Sequence, residues 1–137
     1  SFGGYLTSLC MTKGADLFKM GIAVAPVTNW RFYDSIYTER FLTTPQENPK
    51  GYDENSPINF VKAIKGKYLL IHGTGDDNVH YSNAEQLINE LIINKKQFQL
   101  MAYPNRTHSI SEGAGTGEHL SMLYTKYLKE HCPPGGK

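Results

Sequence analysis

The chain has 137 residues, a formal net charge of +1 and 20% charged side chains. This length is enough for one domain with its own hydrophobic core. No run of Lys or Arg forms the basic stripe typical of nucleic-acid binding, and no apolar stretch approaches the ~20 residues of a membrane-spanning helix. Two cysteines, Cys10 and Cys132, are too few for a disulfide framework or a cysteine-based metal site. The totals therefore favour a globular domain that does not bind nucleic acid.

The first third of the chain predicts a helix, a buried strand and a polar segment. Residues from Gly4 to about Thr12 suit a short buried helix, which Lys13-Gly14 would end. The run Phe18–Ala25 is almost continuously apolar and stops at Pro26, which predicts a strand buried on both faces of a parallel sheet. Aromatic and polar residues follow at the carboxyl end of this strand, where α/β sheets bind ligands.

The rest of the chain continues this alternation. We predict a loop over 43–55, then a short helix that Ser56 caps, that Pro57 begins and that runs to about Ile64. The remaining predicted elements are a strand over 68–72, an amphipathic helix over 81–94, a strand over 98–103, a helix over 118–131 and an irregular Pro/Gly-rich tail over 133–137. This order predicts an α/β fold, a parallel sheet with crossover helices.

The first five residues, Ser1-Phe2-Gly3-Gly4-Tyr5, match the second half of a nucleophile elbow, G-x-S-x-G. In that elbow a serine lies in the sharp turn between a strand and a helix, with its hydroxyl at the top of a parallel sheet. We expect Gly3 to be required, because a side chain there would collide with the strand at the tight turn. The pattern alone also fits a loop of small residues, so the rest of the chain must decide.

A serine nucleophile needs a base, and the base needs a carboxylate that orients it. In α/β-hydrolases these residues occur in the order Ser, Asp or Glu, His, on loops at the carboxyl ends of strands. Here the order is Ser1, then Asp76 or Asp77, then His108. Each has an ordinary alternative, since Asp is common in Gly-rich turns and most loop histidines have no catalytic role. The other four histidines end a strand or lie at a helix, which makes them less suitable bases.

A metal site is a competing interpretation of one segment. His72, Asp76, Asp77 and His80 lie close together in the sequence and offer metal-ligating atoms. Their spacing is long for a common zinc site, and no cysteine joins them. We therefore expect no metal and no other cofactor.

Several segments, taken together, resemble one known family. They are Ser1-Phe2-Gly3-Gly4-Tyr5, Gly21–Val27, Trp30, Tyr33-Asp34-Ser35, Tyr37-Thr38-Glu39-Arg40 and His72–His80. This set resembles the dipeptidyl peptidase IV branch of the prolyl oligopeptidase family, and in particular a bacterial member. A generic hydrolase would match only the Ser, Asp and His. The resemblance extends from Ser1 to about His131.

The resemblance implies a fold and an activity. It implies that residues 1–137 are the C-terminal portion of an α/β-hydrolase domain that begins at the nucleophile elbow, with upstream strands and a β-propeller absent. Family members release dipeptides from peptide N-termini after proline, sometimes alanine. The implied function is a serine exopeptidase that forms an acyl-enzyme on Ser1 and acts on peptides with proline at the second position. The resemblance also implies a periplasmic, secreted or membrane-anchored parent and a homodimer.

The family's functional residues map onto this chain position by position. The nucleophile is Ser1, the carboxylate Asp76 rather than Asp77, and the base His108. The backbone N–H of Phe2 would be one oxyanion donor. The hydrophobic pocket for the proline ring maps to Val27, Trp30, Tyr33, Tyr37 and Val79, and a side chain that hydrogen-bonds a substrate carbonyl maps to Asn78. The alternative for the aromatic residues is ordinary core packing.

The chain departs from the family pattern in two ways. Ser109 stands where many relatives have Gly after the catalytic His. The second oxyanion donor and the carboxylates that bind the substrate's amino terminus belong upstream of Ser1, so dipeptidyl specificity depends on the pocket alone. An esterase or acylaminoacyl-type hydrolase and a non-catalytic binding member therefore stay open. Because a sheet cut before its nucleophile strand has an unpaired edge, we expect the isolated chain to self-associate and to have little or no activity.

Overall fold

A computed structural model describes residues 1–135, and its centre is a three-stranded parallel sheet. The elements are α1 (Phe2–Lys13), β1 (Met20–Val24), a 3₁₀ helix (Trp30–Phe32), α2 (Ser35–Leu42), α3 (Pro49–Glu54), a second 3₁₀ helix (Pro57–Ala63), β2 (Lys67–Gly73), α4 (Ser82–Ile93), β3 (Gln99–Tyr103) and α5 (Thr116–His131). The strand order is β1-β2-β3, and both pairings are parallel. The predicted α/β fold is confirmed. Residues 136–137 of the predicted tail lie outside the described residues.

The middle of β2, Tyr68–Ile71, is apolar because helices cover both faces of the sheet. Tyr68 and Leu70 contribute to one core cluster with residues of α1, α4 and the second 3₁₀ helix. Leu69 and Ile71 point the other way and contribute to a cluster that includes residues of α5. All four side chains are at most 2% exposed. The phenol of Tyr68 keeps a hydrogen bond of 2.8 Å to the Ser8 hydroxyl, so its burial leaves no polar group unpaired.

Two predictions for the segment between the strands are wrong. The predicted loop over 43–55 contains α3, whose first turn is held by the Asn48 side chain accepting a hydrogen bond from the Gly51 N–H. The side chain of Ser56 does not cap the helix that follows it, which is a 3₁₀ helix. Its Oγ instead accepts a hydrogen bond of 3.0 Å from the Trp30 N–H and donates one of 2.7 Å to the Tyr52 carbonyl.

The amphipathic helices bury narrower faces than the sequence pattern predicts. In α4, Leu87 and Leu91 are almost fully buried, but Ile92 is 62% exposed. In α5, Tyr127 is buried and Leu128 is 45% exposed. In both helices the exposed residue follows a buried one directly, and one residue turns an α-helix by about 100°. No helix in residues 1–135 is both long and apolar enough to cross a membrane.

The first turn of α1 lies directly on β1, and the glycine that permits this is Gly4 rather than Gly3. A Cβ on Gly4 would lie 2.5 Å from the carbonyl oxygen of Val24. At Gly3 no described atom lies within 4 Å of the corresponding position. The collision predicted at Gly3 concerns the strand that enters the elbow before the serine, which is not among residues 1–135, so the role of Gly3 stays a prediction.

Replacement of Gly4 tests this packing. Alanine in a helix is usually ~0.5–1 kcal/mol better than glycine, but Gly4→Ala must push α1 away from a rigid backbone carbonyl. We expect a net loss of about 1–3 kcal/mol of unfolding free energy, seen as a lower thermal midpoint. Gly117→Ala in α5 is the matched control, because no heavy atom lies within 4 Å of its new methyl group. An unchanged midpoint for Gly4→Ala would contradict the close approach.

Candidate active site

The sequence-predicted catalytic residues all belong to one edge of the sheet. Because the strands are parallel, the segments that follow β1, β2 and β3 leave from the same edge. Asp76 follows β2, and His108 follows β3. The backbone nitrogen of Ser1 donates a hydrogen bond of 2.6 Å to the carbonyl of Val24, the last residue of β1. Ser1 therefore begins α1 at the edge that also carries the Asp and the His.

Asp76 and His108 form a hydrogen-bonded pair. The imidazole Nδ1–H of His108 donates to Oδ2 of Asp76 at 2.9 Å. The Asp76 side chain is fully buried, and that of His108 is 24% exposed. Since a carboxylate only accepts hydrogen bonds, the neutral ring keeps a free lone pair on Nε2. This is the tautomer that a general base needs. Asp77 is exposed and makes no such contact.

The second oxygen of Asp76 holds its own turn. Oδ1 accepts hydrogen bonds of 2.9 Å from the backbone N–H groups of Asn78 and Val79. The sequence offered two interpretations of Asp76, a turn residue and a partner for a histidine. Both interpretations hold, because Oδ1 binds the backbone of the turn and Oδ2 binds His108. The turn backbone therefore helps to orient the carboxylate toward His108.

The Asp turn and the His loop are tied together by backbone contacts. Gly75 N–H donates to the Arg106 carbonyl at 3.1 Å, and Asn105 N–H donates to the Thr74 hydroxyl at 2.8 Å. A Cβ on Gly73 would overlap the carbonyl oxygen of Arg106. Glycine at the end of β2 therefore allows the two loops to approach closely enough for Asp76 to reach His108.

The loop that carries His108 is held in a strained conformation. Ile110 has φ of 49°, which is unfavourable for a β-branched residue. Its side chain is 2% exposed in the cluster beneath the loop, and this burial offsets the strain. The Arg106 guanidinium spans the loop, because it donates to the carbonyls of Pro104 at 2.9 Å and Glu112 at 3.0 Å and to the Thr116 hydroxyl.

No hydrogen bond joins Ser1 and His108 within residues 1–135. Within residues 1–135, neither Nε2 of His108 nor the hydroxyl of Ser1 has a hydrogen-bond partner. The structure thus joins two of the three predicted catalytic residues directly and brings the third to the same edge. Catalytic hydrogen bonds are often long without substrate and tighten when it binds.

The predicted pocket residues assemble into one aromatic cluster. Trp30 and Tyr37 stack with ring centroids 6.1 Å apart, and Tyr33 meets Tyr37 edge-on at 5.4 Å. Val27 and Val79 are 3% and 0% exposed in the cluster that contains Trp30. The two valines are thus buried with the rings and do not line the neighbouring cleft.

The cleft beside these rings has a volume of about 350 Å³, and sequence reasoning missed part of its wall. It is lined by Phe2, Tyr5, Trp30, Tyr37, Thr38, Phe41, Leu42 and Asn55. The ring of Tyr5 lies 4.8 Å from that of Trp30, and the ring of Phe41 lies 5.2 Å from that of Tyr37. The signal was helical spacing: Phe2 and Tyr5 are three residues apart on α1, and Tyr37 and Phe41 are four apart on α2.

Buried polar contacts fix the loop that presents Trp30. Thr28 is fully buried, and its N–H and hydroxyl donate to the Asn83 side chain at 3.0 Å and the Asn83 carbonyl at 2.8 Å. Together with the Ser56 contact described above, this network joins the loop to α4 and to the second 3₁₀ helix. A loop held at both ends can present an aromatic wall without rearrangement.

Asn78 is oriented by Tyr33, a predicted pocket residue that packs on Trp30 and Tyr37 but does not line the cleft. The Tyr33 hydroxyl donates to the side-chain oxygen of Asn78 at 2.6 Å. Burial raises the pKa of Tyr33, with a smaller contribution from the nearby Asp34, so the phenol stays protonated as a donor. The amide oxygen of Asn78 thus has a donor, and its NH₂ group, which makes no hydrogen bond within residues 1–135, can donate only to acceptors such as a carbonyl.

The four residues considered as metal ligands do not converge. His72 lies next to Asp76, but His80 is exposed and its Nδ1 pairs with the Ser82 hydroxyl at 3.0 Å. In the described part of the chain, no group of three or more His, Cys, Asp or Glu side chains is arranged to hold a metal ion.

His72 gives the stability of the protein a pH dependence. It is fully buried, and this burial lowers its pKa from the ordinary value of 6.5. As pH falls below 6.5, the unfolded chain binds a proton that the folded state resists, so folding stability is lost. We expect the thermal midpoint of His72→Gln to fall less between about pH 7.5 and 5.5 than that of the unaltered protein. The exposed His80→Gln serves as control; equal slopes for all three proteins would contradict the buried neutral state of His72.

The chain matches one protein family along nearly its whole length. A profile of the prolyl oligopeptidase family matches residues 1–133. Prolyl endopeptidase FAP of Bos taurus is 44% identical and dipeptidyl peptidase 4 of Felis catus is 41% identical, each over 95% of this chain and 17% of the relative. The crystal structure of Porphyromonas gingivalis dipeptidyl peptidase 4 matches with a TM-score of 0.92 at 41% identity, over 95% of this chain and 18% of that one. The chain thus spans less than a fifth of these relatives' length. The predicted resemblance is confirmed, and the chain belongs to the prolyl oligopeptidase family.

Proposed function

We propose that this chain is the C-terminal part of the catalytic domain of a serine dipeptidyl peptidase. The enzyme releases X-Pro, or X-Ala, dipeptides from peptide N-termini through an acyl-enzyme on Ser1. The observation that carries the proposal is the 2.9 Å bond between Asp76 and His108, at the edge of the sheet where α1 begins with Ser1. The relatives named dipeptidyl peptidase 4 support it.

Each residue has a role in acyl transfer. The Ser1 hydroxyl attacks the substrate carbonyl, and Nε2 of His108 takes its proton and passes it to the leaving amine. Asp76 stabilises the imidazolium that forms. A water molecule, activated by the same base, then releases the dipeptide. The backbone N–H of Phe2 is one oxyanion donor, and it belongs to the first turn of α1, whose N–H groups have no partners within the helix.

The aromatic cleft supplies the preference for proline. A flat, apolar five-membered ring fits between the aromatic walls that Trp30 and Tyr37 provide, and its burial there removes apolar surface from water. The NH₂ group of Asn78 is available for a substrate carbonyl. The contacts that limit the product to a dipeptide belong to other parts of the full-length protein, so specificity for the second residue is the part that this chain supplies.

The apolar cleft also keeps a second candidate open. An ester or acylaminoacyl-type hydrolase would use the same triad and would accept an apolar acyl group in the cleft. The non-catalytic alternative is disfavoured by the intact Asp76–His108 hydrogen bond, which a binding protein does not need. Self-association of the isolated 137-residue chain through its edge strands and its lack of activity stay predictions.

Removal of the nucleophile tests the reaction class. In the full-length protein, Ser1→Ala leaves binding intact and abolishes acyl-enzyme formation. We expect release of chromophore from a Gly-Pro conjugate to fall at least about 10³-fold. The control is Ser121→Ala on the exposed face of α5, which should leave the rate unchanged. Retained activity in the Ser1 variant would contradict the assignment of the nucleophile.

Removal of one pocket wall tests the specificity. Tyr37 is 41% exposed and lines the cleft, so Tyr37→Ala should lower kcat/KM for a Gly-Pro conjugate about tenfold. The rate on a small acetyl ester, which does not fill the cleft, should change little. Phe18→Ala is the matched control, since this aromatic residue is 44% exposed and precedes β1 at the opposite end of the sheet. Stronger activity on esters than on Gly-Pro in the unaltered protein would favour the second candidate.

A further inference from the structure

His72 lies behind the catalytic carboxylate, in a position that the proposed reaction does not use. It is the penultimate residue of β2, just before the turn that carries Asp76, and it is 0% exposed. Its Nε2 lies 2.8 Å from the Val79 carbonyl and 3.2 Å from Oδ2 of Asp76. The edge of the Tyr81 ring closes the other side, with centroids 5.4 Å apart and planes at 89°.

These contacts determine the protonation state of the ring. A carbonyl oxygen only accepts hydrogen bonds, so Nε2 of His72 carries the hydrogen that binds Val79. Nδ1 is buried and has no hydrogen-bond partner within residues 1–135. This agrees with an Nδ1 that carries a lone pair and no hydrogen. Burial also favours the neutral ring. His72 is therefore a neutral imidazole whose one N–H donates to the Val79 carbonyl, with Nε2 3.2 Å from Oδ2 of Asp76.

A buried Nδ1 without a partner within residues 1–135 is unfavourable for a residue that serves packing alone. An apolar side chain at the same place would avoid a buried atom without a hydrogen-bond partner. What an apolar side chain lacks is the polar N–H beside the carboxylate. Oδ2 of Asp76 accepts the N–H of His108 at 2.9 Å, and Nε2 of His72, whose N–H donates to the Val79 carbonyl, lies 3.2 Å from the same oxygen.

We propose that His72 is a positioning residue for catalysis: its ring, anchored by the N–H that donates to the Val79 carbonyl, lies against Oδ2 of Asp76 and keeps that oxygen in line with Nδ1 of His108. This inference rests on the proposed triad. The backbone N–H groups hold Oδ1 from one side, and His72 limits rotation of the carboxylate from the other. The ionisable groups that face His72 are Asp76, His108 and the phenol of Tyr81.

The test compares variants with and without a donor in the full-length protein. His72→Gln retains an NH₂ group that can reach both Val79 and Asp76, whereas His72→Leu has no donor. His72→Phe, a second variant without a donor, preserves a flat ring against Tyr81 if the leucine variant does not fold. Thermal unfolding of each variant separates a folding defect from a catalytic one.

The first readout is the steady-state rate on a Gly-Pro conjugate as a function of pH. Without the donor, Asp76 stabilises the imidazolium of His108 less well. We expect kcat to fall about tenfold with little change in KM, and the acid limb of the profile to move to lower pH. His72→Gln should restore both. A leucine or phenylalanine variant with unchanged kcat, a limb that moves to higher pH, or a glutamine variant as slow as leucine would overturn the proposal.

The second readout is the rate at which a fluorophosphonate probe labels Ser1. In this step the Ser1 Oγ–phosphorus bond forms, the phosphorus–fluorine bond breaks, fluoride leaves and the hydroxyl proton passes to His108. Labelling does not require a prolyl substrate. If the unaltered protein ignores Gly-Pro but labels rapidly, the proposed specificity fails while the role of His72 remains testable by the same variants.

A double-mutant cycle shows whether His72 acts through Asp76. In an Asp76→Asn background the carboxylate is absent, so His72→Leu should have little further effect on the labelling rate. A further tenfold loss there, equal to the loss in the unaltered background, would mean that His72 acts by another route and would overturn the proposal.

Discussion

The carboxylate of Asp76 is the point on which the site depends. One oxygen closes the turn after β2 through the N–H groups of Asn78 and Val79, and the other accepts the imidazole N–H of His108. A buried carboxylate is unfavourable unless donors surround it, so the turn, the histidine loop and the strand end must come together. The same turn buries Val79 against the aromatic cluster. Formation of the Asp76–His108 hydrogen bond and formation of the pocket are thereby linked.

Close backbone approach makes this convergence achievable. Gly4 lets α1 lie on the end of β1, and Gly73 lets the histidine loop lie on the end of β2. The left-handed conformation of the buried Ile110 and the contacts of Arg106 hold that loop in place. The site is therefore supported by residues outside the proposed catalytic triad. Its geometry is already organised apart from the contact between Ser1 and His108, and that contact is the one expected to change when substrate binds.

The sequence predicted what depends on periodicity and order. The buried strands, the parallel sheet and the order Ser1, Asp76 or Asp77, His108 follow from such patterns, and the family match confirms the fold. Helix α3 was missed because it has only six residues, including Pro49 and Gly51, which are typical of turns, and because its first turn depends on the Asn48 side chain. The choice between two adjacent aspartates and the place of His72 beside Asp76 depend on turn geometry, which spacing does not encode. Phe2, Tyr5 and Phe41 were within reach of the sequence, since their helical spacing places them with the predicted pocket residues.

The central claim is that Ser1 and His108 act together at this edge of the sheet. A crystal structure of the full-length protein after reaction with a fluorophosphonate tests it directly. We predict a covalent bond from Ser1 Oγ to phosphorus, with Nε2 of His108 within hydrogen-bond distance of the adduct and the Asp76–His108 hydrogen bond retained. An unmodified Ser1 in a folded protein, or an adduct on another residue, would contradict the account.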